Sequence, residues 1–429
     1  MIRTTRSWRV AAAAVAASLT LASCGNGDDG NDEAEGDGGD GSSESGEFTL
    51  GYVLPETGDL AYLGPPQIQA LNYAIDQINA AGGVLGSEIP APVAGDEAND
   101  ASIAAQSADR VLNDGVSAII GAAASGMSLA IIDKITGAGV AQCSGSNTAP
   151  TFTDYDDNGL YFRTAPSDAL QGPILADVIV GDGYSNVAIV ARADDYGQGL
   201  ADATAEALES AGATVVLNET YDPKTTNFDA TVQQVVSSKP DAAVVIAFEE
   251  GKQILQGLIE SGLTPDEGVG LYGADGLRAD DLAELVSPSN PGVLAGMKGT
   301  APASAGNDQF LTDLKKFAPD LEEVQFAPQV FDCVNILALA AEAADSSDAN
   351  EFKEFVNDVT ADGEKCTTFA DCKELLEAGE DIDYDGASGP LEFTEAGEPG
   401  EATIEVYGFN KKGELETLDT RTSVPLESD

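Results

Sequence analysis

Short apolar runs alternate with segments of helical period along most of this chain, and residues 115–153 show the unit most clearly. Residues 116–120 are an apolar run closed by Gly121 and a loop of small residues. Apolar residues then recur at helical spacing from Leu129 to Ile135, until Gly137 and Gly139 break the pattern. A second short run, 139–143, opens into the small polar loop 144–148. The order is strand, loop, helix, strand, loop, with both loops at the carboxyl ends of strands. Ligands bind there in open α/β sheets. Small residues let backbone N–H groups approach a ligand, and a helix N-terminus favours an anionic group. Two readings stand side by side. Ser125 with Ser146, Asn147 and Thr148 holds a carboxylate, or these are two ordinary βα turns.

The same rhythm runs through the rest of the chain. Residues 48–54 read as a strand, 55–66 as a loop, and Ile68, Leu71, Ala74, Ile75 and Ile78 as one face of a helix. A helix at 101–113 leads into the first unit, and 158–164 reads as a strand that passes to a second domain. There the spacing predicts helices at 168–181, 200–211, 227–237 and 251–261, between strands at 187–191, 214–217, 242–247 and 270–272. Such alternation predicts parallel sheets. Residues 294–300 look like a return passage, followed by helices at 307–317, 328–344 and 350–359 and a hairpin of 402–410 with 415–417. Two similar α/β halves and a chain that crosses back predict lobes around a hinged cleft.

Charge narrows the function. Seventy-four acidic residues against 20 basic ones give a formal charge of −54. Phosphate binding needs basic patches, so nucleic acid is not an expected partner. The same charge keeps an exported protein soluble, including at high salt, where self-repulsion is screened. The chain has no histidine. That excludes Ser-His-Asp and Cys-His catalysis and removes the commonest transition-metal ligand. No enzyme activity, cofactor or metal is expected.

The N-terminus reads as an export signal. Arg3, Arg6 and Arg9 precede an apolar stretch, 10–21, too short to span a bilayer. Leu21-Ala22-Ser23-Cys24 resembles the bacterial lipobox, which implies cleavage before Cys24 and its acylation. The lipid would hold the protein on the outer face of the cell membrane. Residues 25–46 are Gly, Asp, Glu, Ser and Asn with almost nothing apolar, and read as a disordered tether.

The folded part resembles a known family on four stretches: 74–86 (AIDQINAAGGVLG), 120–130 (IGAAASGMSLA), 194–199 (DDYGQG) and 386–393 (GASGPLEF). These are similar to the type I periplasmic binding proteins of the branched-chain amino-acid branch, the substrate receptors of ABC importers. The resemblance covers roughly 47–425 and implies two Rossmann-like lobes joined by three crossings, with ligand between them. Lobe 1 would be 47–165 plus 300–398, and lobe 2 would be 166–299 plus 399–425. It also implies a monomer that captures a small amino acid and delivers it to permease subunits in the membrane. The carboxylate would be held by Ser125 and Asn147-Thr148, and the ammonium by Asp275. Tyr196 would pack from the second lobe, and Leu63, Phe248 and Phe331 would shape the side-chain pocket. Two departures bear on the ligand. The first-loop tyrosine, Tyr62, comes one residue earlier than in many relatives, and the acidic pair Glu249-Glu250 is either a solvated edge or a selector for a basic ligand. The same scaffold can also take an amide, urea or a small organic acid, or serve as a sensor for a signalling partner.

With Cys24 lipidated, four cysteines remain, and three pairings are possible. The short spacing of Cys366 and Cys372 favours that bridge, which leaves Cys143 with Cys333 or two buried thiols. Residues 381–392 satisfy the EF-hand expression, from Asp381 to Glu392. Pro390 inside the loop and the lack of an exit helix argue against calcium there.

Overall fold

The computed structural model describes residues 46–303 and 308–423. The expected export signal, Cys24 and the expected tether up to residue 45 lie outside the described residues. In the first half, β1 (Leu50–Val53) is followed by α1 (Gly64–Ala80) and α2 (Ala101–Asn113). Then come β2 (Ala118–Gly121), α3 (Ser125–Gly137), β3 (Ala141–Ser144) and β4 (Tyr161–Arg163). The second half runs α4 (Asp168–Gly181), β5 (Asn186–Arg192), α5 (Asp195–Ser210), β6 (Thr214–Tyr221) and α6 (Asp229–Ser238). It continues with β7 (Ala242–Ile246), α7 (Gly251–Glu260), β8 (Gly270–Gly273), α8 (Leu282–Val286) and β9 (Lys298–Pro302). The chain then adds α9 (Asp308–Phe317), α10 (Ala327–Ala344), α11 (Ala349–Phe352), β10 (Glu364–Cys366), α12 (Phe369–Ala378) and β11 (Ile382–Tyr384). A hairpin of β12 (Ala402–Phe409) and β13 (Leu415–Ser423) ends the described chain.

Two main sheets result. The first has the order β1-β2-β3-β4, all parallel, and residues 93–96 run alongside β1 through bonds such as Tyr52 N–H to Val93 O. The second has the order β13-β12-β9-β8-β7-β5-β6, parallel from β9 to β6 and antiparallel at the hairpin. The chain passes from the first sheet to the second after β4, returns after β9, and passes again before β12. This is an α/β fold of two Rossmann-like lobes joined by three crossings.

Strands β1, β2, β5, β7 and β8 are apolar with little alternation because both faces are covered. Val53 and Ile119 pack with Ala104, Ala108, Val111, Ile131 and Ile135 of α2 and α3. Leu54 and Ile120 belong instead to the core that includes Leu71, Ile75, Val334 and Leu337 of α1 and α10. In the second sheet Ala188, Val190, Ala243 and Val245 meet α6 and α7, whereas Ile189 and Val244 share a core with Leu175 and Leu200 of α4 and α5. Each buried Val, Leu or Ile among them contributes about 1.5–3 kcal/mol. Helix starts follow local chemistry: Asp100 caps α2 through the N–H groups of Ser102 and Ile103, and Asp194 caps α5 through Gly197 N–H.

Helix α10 ties the passages together. Cys333 is bonded to Cys143 at the end of β3, with Cα atoms 5.8 Å apart. Thr164, on the first passage, donates its hydroxyl to Gln329 O at 2.7 Å, and Gln329 donates to Ala303 O on the second at 3.0 Å. The buried Asp332 carboxylate accepts from Tyr384 Oη and from the backbone N–H groups of Ala387 and Ser388. Gly386 is required there, since a Cβ would lie 2.2 Å from Asp332 Oδ1. The second bridge, Cys366–Cys372, joins β10 to α12.

Several elements depart from the sequence expectation. The segment expected as a return passage, 294–300, instead leads into β9, an interior strand of the second sheet, so the passage follows Pro302. Helix α5 starts at Asp195 rather than residue 200, because Asp194 caps it. Helix α12 and the two-stranded sheet β10–β11 were not anticipated. The EF-hand match falls on β11, a strand paired with β10, and Lys365 reaches Asp383 at 2.8 Å, Asp385 at 3.1 Å and Glu392 at 3.7 Å. A lysine ammonium among these carboxylates does the neutralising that the motif assigns to a cation. No described helix is long and apolar enough to cross a membrane.

Candidate functional site

The two small-residue loops meet at the carboxyl ends of β2 and β3. Glu97 is fully buried behind the first, and its carboxylate accepts from the N–H groups of Ala123 and Ala124. Burial pushes Glu97 up to about 8, against the pull of those two N–H bonds. These two backbone donors are therefore taken by the protein itself. Ser125 opens α3, and its Oγ accepts from Ala149 N–H at 3.3 Å, which leaves the hydroxyl proton free to donate.

Asn147 and Ser146 differ from expectation. Asn147 Nδ2 donates to Ala122 O and Ala123 O at 3.1 and 2.8 Å, and its Oδ1 accepts from Tyr161 Oη at 2.8 Å. That side chain is spent on bracing one loop against the other. The Ser146 hydroxyl is turned inward as well, toward Gln67 Oε1 at 3.2 Å and Ala123 O at 3.1 Å. Thr148 is the third member of the triplet. Its Oγ1 is buried and faces the Asp168 carboxylate. Arg163, anchored on Glu398, supports this loop from behind by donating to Ala149 O at 2.8 Å.

Thr148 O accepts from Asp168 N–H at 2.7 Å, which brings the first residue of α4 to the same place. Asp168 is fully buried, and its carboxylate faces the Thr148 hydroxyl, with no other hydrogen-bond partner for either group's side chain among the described residues. Burial, and then the charge of Asp275, hold it well above the usual carboxylate range. Asp275, on the turn after β8, is also buried. Its Oδ1 accepts from Gln171 Nε2 at 2.8 Å and Tyr196 Oη at 2.9 Å. Burial raises Asp275 to about 6 while those two bonds hold it down.

The turn carrying Asp275 is fixed on several sides. Gly276 N–H donates to Tyr196 Oη at 3.2 Å, Tyr407 donates to Ala274 O at 2.8 Å, and Gln325 Nε2 donates to Asp275 O at 2.9 Å. Tyr62 donates to Gly276 O at 2.9 Å. Tyr196 stacks on Phe248 with centroids 5.3 Å apart, and the Arg192 guanidinium lies 3.5 Å from the Phe248 centroid. Glu250 is the internal counterion of Arg192 at 2.9 Å and accepts from Tyr221 Oη, whereas Glu249 is exposed beside Lys252. So the acidic pair is split, one residue a buried partner and the other a solvated edge.

Of the expected pocket residues, Leu63 is buried next to Tyr62, and Phe248 lies under Tyr196. Phe331 is placed elsewhere: its ring meets Tyr73 at 5.6 Å and Phe310 at 4.9 Å, on the seam of α1, α9 and α10. Helical spacing on α10 turns it to that seam. Asp168, Gln171 and Gln325 were missed. The only sequence signal of Asp168 is that of a first-turn acid, a common feature of helix starts.

The profile of the periplasmic binding proteins matches residues 47–414. The chain belongs to that family. A Leu/Ile/Val-binding protein of Rhizobium johnstonii is 30% identical over 196 residues, which is 46% of this chain and 53% of that protein. The chain thus matches about half the length of that relative and 60% of a homologous Brucella melitensis protein. A chemotactic signal transduction substrate-binding protein of Halobacterium salinarum is 27% identical over 365 residues, 82% of this chain and 84% of that one. Among solved structures, a leucine-binding protein of Thermotoga maritima aligns with a TM-score of 0.72 at 20% identity, over 87% of this chain and 98% of that one. A branched-chain amino-acid transporter substrate-binding protein of Streptococcus pneumoniae, solved with isoleucine, aligns at 0.71 and 23% identity, over 89% of this chain and all of that one. These two likenesses bear on the fold, which is that of type I periplasmic binding proteins.

Proposed function

We propose that this protein is the extracytoplasmic substrate receptor of an ABC importer, that it captures an α-amino acid between its lobes, and that it performs no chemistry on it. The observation that carries this reading is the pair of buried carboxylates, Asp168 and Asp275, beside the buried hydroxyl of Thr148, which faces Asp168. Buried carboxylates call for a cation, and hydroxyl donors call for an anion. An α-amino acid supplies both on one carbon. Ser125 and Thr148 take its carboxylate, Asp275 and Asp168 its ammonium, and Tyr196, Phe248 and Leu63 surround the rest. Cys24 anchors the receptor by lipid to the outer face of the membrane, and residues 25–46 tether it there. The folded part is a monomer with lobe 1 at 47–165 plus 308–398 and lobe 2 at 166–302 plus 399–423. The lobes open on the crossings, and the closed form is presented to the permease subunits.

The names of relatives support branched-chain amino acids as the first ligands to test. A thermal-shift panel of amino acids, amides and organic acids tests the reading, because a tight ligand raises the melting temperature. Amino acids should shift it and acids without an amine should not; shifts from organic acids or amides alone would overturn it. The likeness to a chemotactic substrate-binding protein favours a second reading, a receptor that reports to a signalling partner. Uptake of labelled ligand by cells with and without the protein separates the two.

A further inference from the structure

We propose that Tyr62 and Gln325 form a two-bond latch, through which lobe 1 grips the Asp275–Gly276 turn of lobe 2, and that this latch sets how long a captured amino acid is held. The proposal rests on the receptor reading above and concerns residues that hold no atom of the ligand. Tyr62 lies in the 3-10 turn Ala61–Leu63, directly before α1, and Gln325 lies two residues before α10, next to its N-cap Phe326. Both helices pack on the first sheet. The acceptors, Gly276 O and Asp275 O, are consecutive carbonyls on the turn after β8 of the second sheet. The bonds therefore join lobes across 214 and 50 residues of sequence.

The register of the first turn explains why Tyr62 serves this purpose. In a 3-10 turn consecutive residues point about 120° apart. Leu63 is buried in a core cluster that also includes Tyr196 and Phe248 of the second lobe. The tyrosine one place earlier is turned to the other lobe. The receiving turn is rigid enough to be gripped. Tyr196 holds Gly276 N–H, Tyr407 holds Ala274 O, and a Cβ on Gly276 would lie 2.5 Å from Ala247 O. The lobes are closely apposed nearby as well, where a Cβ on Gly199 of α5 would come 2.5 Å from Pro150 Cδ. Gln325 lies four residues before Gln329, which binds the crossing at Ala303, so it grips near the hinge while Tyr62 grips from the start of α1.

Opening the cleft exchanges each bond for one to water. One neutral hydrogen bond should change the closed-to-open ratio about fivefold. The test uses the amino acid that most raises the wild-type melting temperature. Its dissociation rate is followed by stopped flow in wild type, Tyr62→Phe, Gln325→Met and the double variant. Dissociation should rise about fivefold in each single variant and about 25-fold in the double, if the bonds act independently. Association rate and the melting temperature of the unliganded protein should not move. Should Tyr62→Phe lower that melting temperature, Gln325→Met carries the test alone. Unchanged dissociation in the well-folded variants overturns the latch and leaves the receptor reading intact. Failure of every amino acid to bind wild type overturns the receptor reading and the latch with it.

Discussion

The Tyr196 hydroxyl donates to Asp275 Oδ1 at 2.9 Å while accepting Gly276 N–H at 3.2 Å, so one phenol fixes both the carboxylate and the turn that carries it. Phe248 backs the ring, and Arg192, neutralised by Glu250 and Asp194, backs Phe248. The second lobe thus presents one preorganised carboxylate, and the first lobe presents hydroxyls from two loops.

Asp275→Asn keeps the shape and removes the charge. A charge-assisted bond inside a closed cleft accounts for roughly 10- to 150-fold in affinity. Calorimetry should show a loss of that size with an unchanged circular dichroism spectrum. Tyr196→Phe should weaken binding less, by about fivefold, since it removes one neutral partner of Asp275. Equal affinity in wild type and Asp275→Asn would remove that residue from the site.

Ligand affinity and unliganded stability should move with pH in opposite directions. Burial raises Asp275 to about 6 and holds Asp168 well above the usual carboxylate range, and each binds an ammonium only when ionised, so affinity should fall as pH drops below 6. Stability follows the other sign. Burial raises Asp275 and Asp332 to about 6 and Glu97 to about 8, so the folded state holds more protons than the unfolded chain. Their contribution is present in full below the unfolded carboxylate range and is lost as pH rises through 6 and then 8. The unliganded melting temperature should decline across that window, and Glu97→Gln should flatten its upper part. A melting temperature that rises from pH 6 to 8 would contradict the assignment.

The two disulfides should differ in weight. Cys143–Cys333 closes 190 residues and Cys366–Cys372 closes six. Chain entropy assigns about 5 kcal/mol to the first and about 2 kcal/mol to the second. Paired serine substitutions, followed by denaturant unfolding, should rank them in that order. Loss of the first should also weaken ligand binding, because Cys143 immediately precedes the Ser144–Thr148 loop.

The fold was legible because doubly covered parallel strands leave short apolar runs, and helical periods between them repeat the unit. Ser125 and Thr148 are legible from the two small-residue loops and Tyr196 and Asp275 from the resemblance, and the structure gathers them or their immediate neighbours at the facing ends of the two sheets. What local sequence does not carry is which polar side chain is already spent. Asn147 reads like Thr148, yet its amide is used up on Ala122, Ala123 and Tyr161. Glu249 and Glu250 read as one feature, yet only Glu250 meets Arg192, 58 residues away. Asp168 and Asp275 lie 107 residues apart, and nothing local to either signals the other. The acidic loop 381–392 fits a calcium motif letter by letter, and its carboxylates find a lysine on the neighbouring strand.

The central claim is that an ammonium is held by buried carboxylates while a carboxylate is held by hydroxyls. Isothermal titration of L-leucine against 4-methylpentanoic acid, which lacks only the amine, tests it most directly, with the other amino acids in place of leucine if one binds more tightly. The amino acid should bind at least about 100-fold more tightly than its deaminated analogue. Equal affinity, or preference for the analogue, would contradict the account.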